Sequence, residues 1–246
     1  MKLSVKICLL WALFFGFFSK ANAQYLKGNN YYDLTFSTSG TQSVVAINWS
    51  HLHGIGKNKK FSIGYGIRLN SSFGENTNFI TAPAELTSGK TGVGVIFSET
   101  ILENLDTISM DKYLVNSLNL AIHLNYQLNP KLMIEFNIDA LGLSFGVDQI
   151  AKYNSSKRTD SPNKEKDQTA KPTNYNVLLT SENDIGSLNS EILLKYWFSP
   201  KWALKAGATF IFTEYTTNNV LYANNNRFRN KSLQGMIGIS FSPFRK

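Results

Sequence analysis

Cysteine is all but missing from this chain: Cys8 is the only one in 246 residues, and it lies inside an apolar leader. Everything beyond the leader therefore lacks a disulfide framework, a thiolate metal site and a cysteine nucleophile. Long hydrophobic runs are missing as well. After residue 23 no segment reaches the roughly eighteen consecutive apolar residues of a membrane-spanning helix, which excludes a helical membrane protein on length. Charge of one sign is scarce too. The formal net charge is +8, and setting aside Lys2, Lys6 and Lys20 of the leader leaves +5, scattered along the chain. An excess so small and dispersed argues against nucleic acid as a partner and suits a surface near anionic lipid.

The leader is the first positive feature. Residues 1–23 combine a basic start at Lys2 and Lys6, an apolar stretch over 7–18, and small residues Ala21 and Ala23 ahead of Gln24. That is the pattern of a secretory signal peptide cut after Ala23. Its twelve apolar residues fall short of the roughly 20 needed to cross a bilayer as a helix. Cys8 is followed by further apolar residues instead of the start of a mature chain, which argues against a lipid-modified N-terminus. The expected mature domain, residues 24–246, has the size of a single β-barrel with large loops.

What fills that domain is period-two alternation. Over residues 114–128, Leu118, Leu120, Ile122, Leu124, Tyr126 and Leu128 share one face of an extended strand, and Ser117, Asn119, Ala121, His123, Asn125 and Gln127 share the other. The same pattern places strands near 31–38, 42–53, 60–72, 114–128, 131–145, 187–199, 201–216 and 230–243. Compact turns fall after the second, fourth and sixth strands, at 54–59, Asn129-Pro130 and Ser199-Pro200, while 73–113 and 146–186 are each about forty residues long. Alternating short and long connections predict an all-β fold, an eight-stranded antiparallel up-and-down transmembrane β-barrel with long extracellular loops and both termini on the periplasmic side. Closure follows from solvent physics. An open strand edge in lipid would leave backbone N–H and C=O groups without partners at several kcal/mol each.

The faces can be assigned in advance. Outward sets include Phe61, Ile63, Tyr65, Ile67 and Leu69, then Leu132, Ile134, Phe136, Ile138 and Ala140, and finally Leu233, Gly235, Ile237, Ile239 and Phe241. Each spans the roughly nine to eleven residues that carry a tilted strand across hydrocarbon. Trp49, Phe61, Tyr126, Tyr196, Phe198, Trp202, Phe241 and Phe244 gather by strand ends near the short turns and are expected to form an interfacial aromatic girdle at the inner rim. Pointing inward are Asp33, Arg68, His123, Glu135, Asp139, Glu191, Lys195 and Lys205, together with Asn48, Asn119, Asn125, Asn137 and Gln234. A barrel of eight strands is wide enough only for its own side chains, so these charges should interlock and fill the lumen. Lys195 and Lys205 are expected to share a layer that needs Glu135 or Glu191 nearby.

Enzyme chemistry finds little footing. A lipid-directed hydrolase of this class would set a serine and a histidine on the outward face near the rim, yet His123 has inward parity and no serine two residues away. His51 and His53, in Ser50-His51-Leu52-His53, share a strand face but offer only two metal ligands and no adjacent acid. No cofactor is called for. Of the long loops, 73–113 contains Val93-Gly94-Val95-Ile96-Phe97 and Ile108-Ser109-Met110, which could extend the barrel as a β-hairpin. Residues 152–171 are polar and charged, including Lys152, Lys157, Arg158, Lys164, Lys166 and Lys171 against Asp160, Glu165 and Asp167, a composition expected to be mobile.

Three stretches carry a resemblance. Leu114-Val115-Asn116-Ser117-Leu118-Asn119-Leu120 with Tyr126-Gln127-Leu128-Asn129-Pro130-Lys131, then Phe136-Asn137-Ile138-Asp139-Ala140-Leu141-Gly142-Leu143-Ser144-Phe145-Gly146, and Asn183-Asp184-Ile185-Gly186-Ser187-Leu188-Asn189-Ser190-Glu191 resemble the uncharacterised small outer-membrane β-barrel proteins of Gram-negative bacteria. The terminal Phe241-Ser242-Pro243-Phe244 looks like the aromatic signal that delivers such barrels to the outer-membrane assembly machinery, with two basic residues following it here. The resemblance implies a cell outer membrane location, with outer-membrane lipid, lipopolysaccharide and that machinery as partners, and no catalytic residues. Three functional readings remain: a structural or surface-interaction protein acting through its outer loops, a narrow channel for small solutes, and a lipid-modifying enzyme.

Overall fold

The computed structural model describes residues 29–89, 101, 105–154, 166–179 and 183–243. Its elements in chain order are β1 (Asn29–Thr38), β2 (Gln42–Ile55), β3 (Phe61–Thr81), a one-turn helix α1 (Ala84–Ser88), β4 (Thr107–Asn129), β5 (Leu132–Phe145), β6 (Gln149–Asn154), β7 (Asp167–Pro172), β8 (Tyr175–Val177), β9 (Asn189–Trp197), β10 (Trp202–Thr217) and β11 (Arg227–Phe241). The eight strands expected from alternation are β1 to β5 and β9 to β11. They pair antiparallel in chain order, and β11 pairs back onto β1, which closes the ring.

Closure comes with a stagger. Stepping sideways from Phe61 through Tyr126, Ile134, Leu194, Ala206, Ile237, Phe36 and Val45 returns to β3 at Ser71, ten residues further along the strand. A ring of eight strands with this shear has tilted strands and a narrow interior. The tight turns are built by side chains that satisfy the turn backbone. Asn129 Oδ1 accepts from the Lys131 N–H at 2.9 Å, and Ser199 Oγ accepts from the Trp202 N–H at 3.0 Å. The short connection between β1 and β2 passes through Gly40 at φ +97°, a conformation that favours a residue without Cβ.

The wall is apolar outside and polar inside. Ile47 (58%), Leu120 (53%), Leu204 (54%) and Ile237 (64%) stand exposed on the outer face, whereas Arg68 (1%), Asp139 (0%) and Lys195 (1%) are sealed in the lumen. A protein in water would not arrange its charges inward and its leucines outward over a whole closed sheet. In hydrocarbon that arrangement is the stable one. β5 contains a correction to simple alternation: between Leu120 and Ala121 of β4 its partner jumps from Leu141 to Asp139. The extra residue, Ala140, forms a bulge. Below it Ile134, Phe136 and Ile138 face lipid, and above it Leu141, Leu143 and Phe145 do so, while Asp139 keeps its place inside.

Of the two expectations about the outer loops, one changes. β3 and β4 do run on beyond the wall as a long hairpin, with Thr77 to Ile80 paired against Met110 to Thr107; Val93 to Phe97 lie outside the described residues. The polar stretch 152–171, expected to be mobile, instead contributes ordered strand at both ends, because β6 pairs with β4 and with β7, and β7 pairs with β10. Phe228 and Arg229 of β11 then pair with Thr81 and Ile80 of β3. The order β3, β4, β6, β7, β10, β11 and back to β3 is a second closed ring standing on the first. Composition could not show this, since Ala151, Tyr153 and Ala170 bury completely while their polar neighbours face water.

Candidate functional site

The lumen is filled in layers. Nearest the short turns, Tyr31, Leu52, Trp197 and Ala203 form an apolar plug, with the Tyr31 and Trp197 rings 6.0 Å apart. Above it lies a square of charge. Lys195 Nζ is 2.5 Å from Glu135 Oε1, and Lys205 Nζ is 2.9 Å from Glu135 Oε2 and 2.8 Å from Asp33 Oδ2. Lys195 also lies 3.9 Å from Asp33 Oδ1 and 4.3 Å from the centre of the Tyr31 ring. Asn48 and Asn125 donate to the two carboxylates, at 3.3 Å to Asp33 and 3.1 Å to Glu135.

The next layer is organised by Arg68. Its two terminal nitrogens donate to Asp139 Oδ1 and Glu191 Oε2, each at 2.9 Å, and further carboxylate acceptor sites are filled by asparagine. Asn119 donates to Asp139 at 2.7 Å, Asn137 to Glu191 at 3.0 Å, and Asn189 to Glu191 at 3.2 Å. Of the two acids expected near the lysines, Glu135 joins them and Glu191 belongs to Arg68 instead. The shear decides this, by setting β9 against β5 with Glu191 beside Asn137 rather than beside Glu135.

His123 faces the lumen between these layers and packs against Gly66, where an added Cβ would come within 2.6 Å of Nε2. On the outer face, His51 Nδ1 lies 2.8 Å from Asn30 Oδ1 and its ring stands 4.5 Å from that of His53. Among the described residues no group of three or more His, Cys, Asp or Glu side chains is placed to hold a metal ion.

The expected girdle is mostly where the strand ends put it. Phe61, Tyr126, Tyr196, Phe198 and Trp202 are exposed on the outer face near the short turns, and Phe241 stacks on Trp202 at 4.7 Å. Trp49 is a correction. It lies six residues along β2 from Ile55, the partner of Phe61, so it stands part-way up the wall against Tyr65. Phe244 lies outside the described residues.

Sequence reasoning missed the outer end. The second ring encloses an apolar core in which Phe79 meets Tyr113 edge-on at 5.4 Å and Tyr215 at 5.2 Å, with Ile108, Met110, Tyr153 and Phe228 around them. Burial pushes the Tyr215 phenol well above its ordinary value. On the outward face of the same level, Glu214 receives Arg227 Nε at 2.7 Å and Arg229 Nη2 at 2.8 Å, and both guanidinium groups donate to the Asp184 carbonyl, clamping the chain near 184 onto the wall. The available signal was the parity of Glu214 and Arg229: charges on an otherwise lipid-facing register mark the end of the hydrocarbon.

A closed eight-stranded sheet with a lipid-facing exterior, short turns at one end and an elaborated opposite end defines an outer-membrane β-barrel. No protein-family model and no curated protein matches the chain. Among solved structures it is similar to the outer membrane protein Ail of Yersinia pestis, at 8% identity over 88% of this chain and 99% of that one, with a TM-score of 0.34. It is similar also to Neisserial surface protein A, at 8% identity over 87% and 93% with a TM-score of 0.35. A major outer membrane protein from Thermus thermophilus matches at 10% identity over 88% and 100%, with a TM-score of 0.36.

Proposed function

We propose that the protein is a non-conducting outer-membrane barrel that serves as a structural or surface-interaction element, with the outer ring as its working end. The observation that carries this reading is the continuous filling of the interior: an apolar plug, two ion-paired layers and an apolar outer core succeed one another along the axis. An ion following that axis would meet buried aromatic rings at both ends and would have to break charge pairs between them, at a cost of several kcal/mol for each ion stripped of its partner. A pore has no use for such a core, whereas a platform that must hold its shape outside the membrane does.

On this reading the protein is not an enzyme, and its partners are outer-membrane lipid and lipopolysaccharide, the assembly machinery, and whatever meets the outer ring. Reconstitution in planar bilayers is the test. No discrete conductance is expected at moderate voltage, and a well-defined open state would establish the small-solute channel instead. Lipid A profiles with and without the protein should be identical; a new or missing species would show lipid-modifying chemistry.

A further inference from the structure

On β10 and β11 the lipid-facing surface ends within a single step of the alternation. Across that ladder, on the outward face, Phe210 pairs with Leu233, Phe212 with Lys231, Glu214 with Arg229 and Thr216 with Arg227. Leu233 (69%) and Phe210 (41%) stand exposed in the apolar band, and every outward position of β11 above them is cationic. The hairpin of β1 and β2 marks the same boundary, because its turn reaches only as far as Ser232, whose Oγ lies 3.2 Å from Ser39 Oγ. Lys171 of β7 extends the row. It pairs with Thr216, next to Arg227, and faces outward while Ala170 and Pro172 bury. These cations therefore stand at the depth of the outer-leaflet headgroups.

Their charges do not balance. Among the described residues Lys171, Arg227, Arg229 and Lys231 share this face with only Glu214 and Asp184. Glu214 takes both guanidinium groups, whereas Asp184 gives them its carbonyl and turns its carboxylate to the Leu179 N–H at 2.7 Å. On β3, β4 and β6 the same level is built differently: Lys112 pairs with Glu75 at 3.6 Å and Lys152 with Asp111 at 4.0 Å, so its exposed lysines are neutralised. Arg229 is sealed, with no hydrogen-bond partner at Nη1, and acts through its field. Lys171 and Lys231 are exposed and Arg227 is a quarter exposed, within reach of an anion arriving from the leaflet. The Phe212 ring lies 5.9 Å from Lys231 Nζ and 5.0 Å from Arg229 Cζ, an apolar step beneath both cations. Surplus positive charge directly above exposed aromatic and aliphatic surface complements an amphiphile that carries phosphate over acyl chains.

We propose that this face of β10 and β11 binds a phosphorylated glycolipid of the outer leaflet, with Lys231, Arg227 and Lys171 on its phosphates and Phe210 and Leu233 against its acyl chains. The proposal rests on lipopolysaccharide being a partner and gives that contact a place. A ligand that binds only the folded state raises stability with its concentration. The experiment is a titration of the protein in phosphatidylcholine vesicles with bis-phosphorylated lipid A, following the temperature at which the SDS-resistant folded form is lost. That temperature should rise with the mole fraction of lipid A and saturate. Lys231→Gln and Lys171→Gln should each need about fivefold more lipid A for half the rise, and the double variant about thirtyfold, from roughly 1 kcal/mol per basic residue at an anionic surface. Lys112→Gln, which removes the same charge from a paired position, should titrate like the parent. Lipid A stripped of its phosphates, and inorganic phosphate in solution, should leave the temperature unchanged. An equal rise with the stripped lipid would overturn the proposal, as would a titration that Lys231→Gln and Lys171→Gln leave untouched. A loss in Lys112→Gln as large as theirs would overturn it by making surface charge in general responsible, and a response to inorganic phosphate would do so by assigning the site to a free anion. Conductance separates this site from the filled barrel: a silent bilayer with no lipid A shift removes the site alone, and an open state alongside the shift removes the filled barrel alone.

Discussion

Lys195 and Lys205 stand directly opposite each other across the β9–β10 ladder, and the two ammonium groups are held by the two oxygens of one carboxylate, Glu135. Two like charges facing one another are tolerated in the lumen only because Glu135 and Asp33 lie against them. Glu135→Ala should therefore remove about 3–5 kcal/mol of stability, the cost of stranding buried cations. Urea unfolding in lipid vesicles measures it; a midpoint equal to that of the parent would show that the square does not hold the wall together.

Arg68 bridges two acids through separate nitrogens, and an ammonium group cannot reproduce that planar fork. Arg68→Lys should consequently destabilise nearly as much as Arg68→Met, despite retaining the charge. Loss of the heat-modifiable, SDS-resistant folded form at a lower temperature for both variants is the expected result, and full resistance in the lysine variant would contradict it.

The lipid-facing assignment can be tested with one pair of neighbours. Ile122 faces outward near the middle of the wall and is 42% exposed, whereas Ala121 points inward. Ile122→Arg should cost roughly 2–4 kcal/mol in a bilayer, the penalty for arginine at the midplane of a barrel's lipid face. Stability that does not change on this substitution would mean that water, not hydrocarbon, lies outside.

Phe79 is fully buried where two other rings meet it edge-on, and it belongs to the outer ring rather than to the membrane wall. Phe79→Ala should cost about 3–5 kcal/mol, and the loss should fall on the outer ring. Limited proteolysis of reconstituted vesicles should cleave the variant near 146–186 faster while the wall stays SDS-resistant. Collapse of both together would show that the two rings unfold as one unit.

Deleting Ala140 offers a sharper check on register. Ala140 is the extra residue, so its removal brings Asp139 and Leu141 next to each other in regular alternation and leaves Asp139 in the lumen with Leu141, Leu143 and Phe145 on the lipid face, whereas removing a residue of the regular ladder exchanges side chains between faces. The Ala140 deletion should still refold into lipid vesicles, as followed by the heat-modifiable band, whereas deletion of Asn137, which exchanges the faces of Ile138 and Asp139, should not. Equal refolding of both deletions would mean that the faces of β5 are not fixed by its register.

Much of this was legible along the chain. The alternation of Leu118 to Leu128 with Ser117 to Gln127 assigns lipid and lumen faces directly, because a strand's side chains have period two whatever the partner. The turn residues Asn129-Pro130 and Ser199-Pro200 set hairpin register locally, so the shared level of Lys195 and Lys205 could be read in advance. Even the bulge leaves a trace, in the shift of apolar residues from even positions at 134, 136 and 138 to odd positions at 141, 143 and 145.

The sequence by itself, then, determined eight lipid-crossing strands, their closure and a lumen of mixed charge, all of which follow from local periodicity and the cost of open edges in hydrocarbon. Only the tertiary structure decided that Glu135 serves the lysines and Glu191 serves Arg68, that Trp49 leaves the rim, and that β6 and β7 complete a second ring around Phe79. Those outcomes depend on the ten-residue stagger accumulated around the whole ring and on strands far apart in the chain. No window of residues records a sum of that kind, and burial of a few tyrosines and alanines outweighs the polar composition that surrounds them.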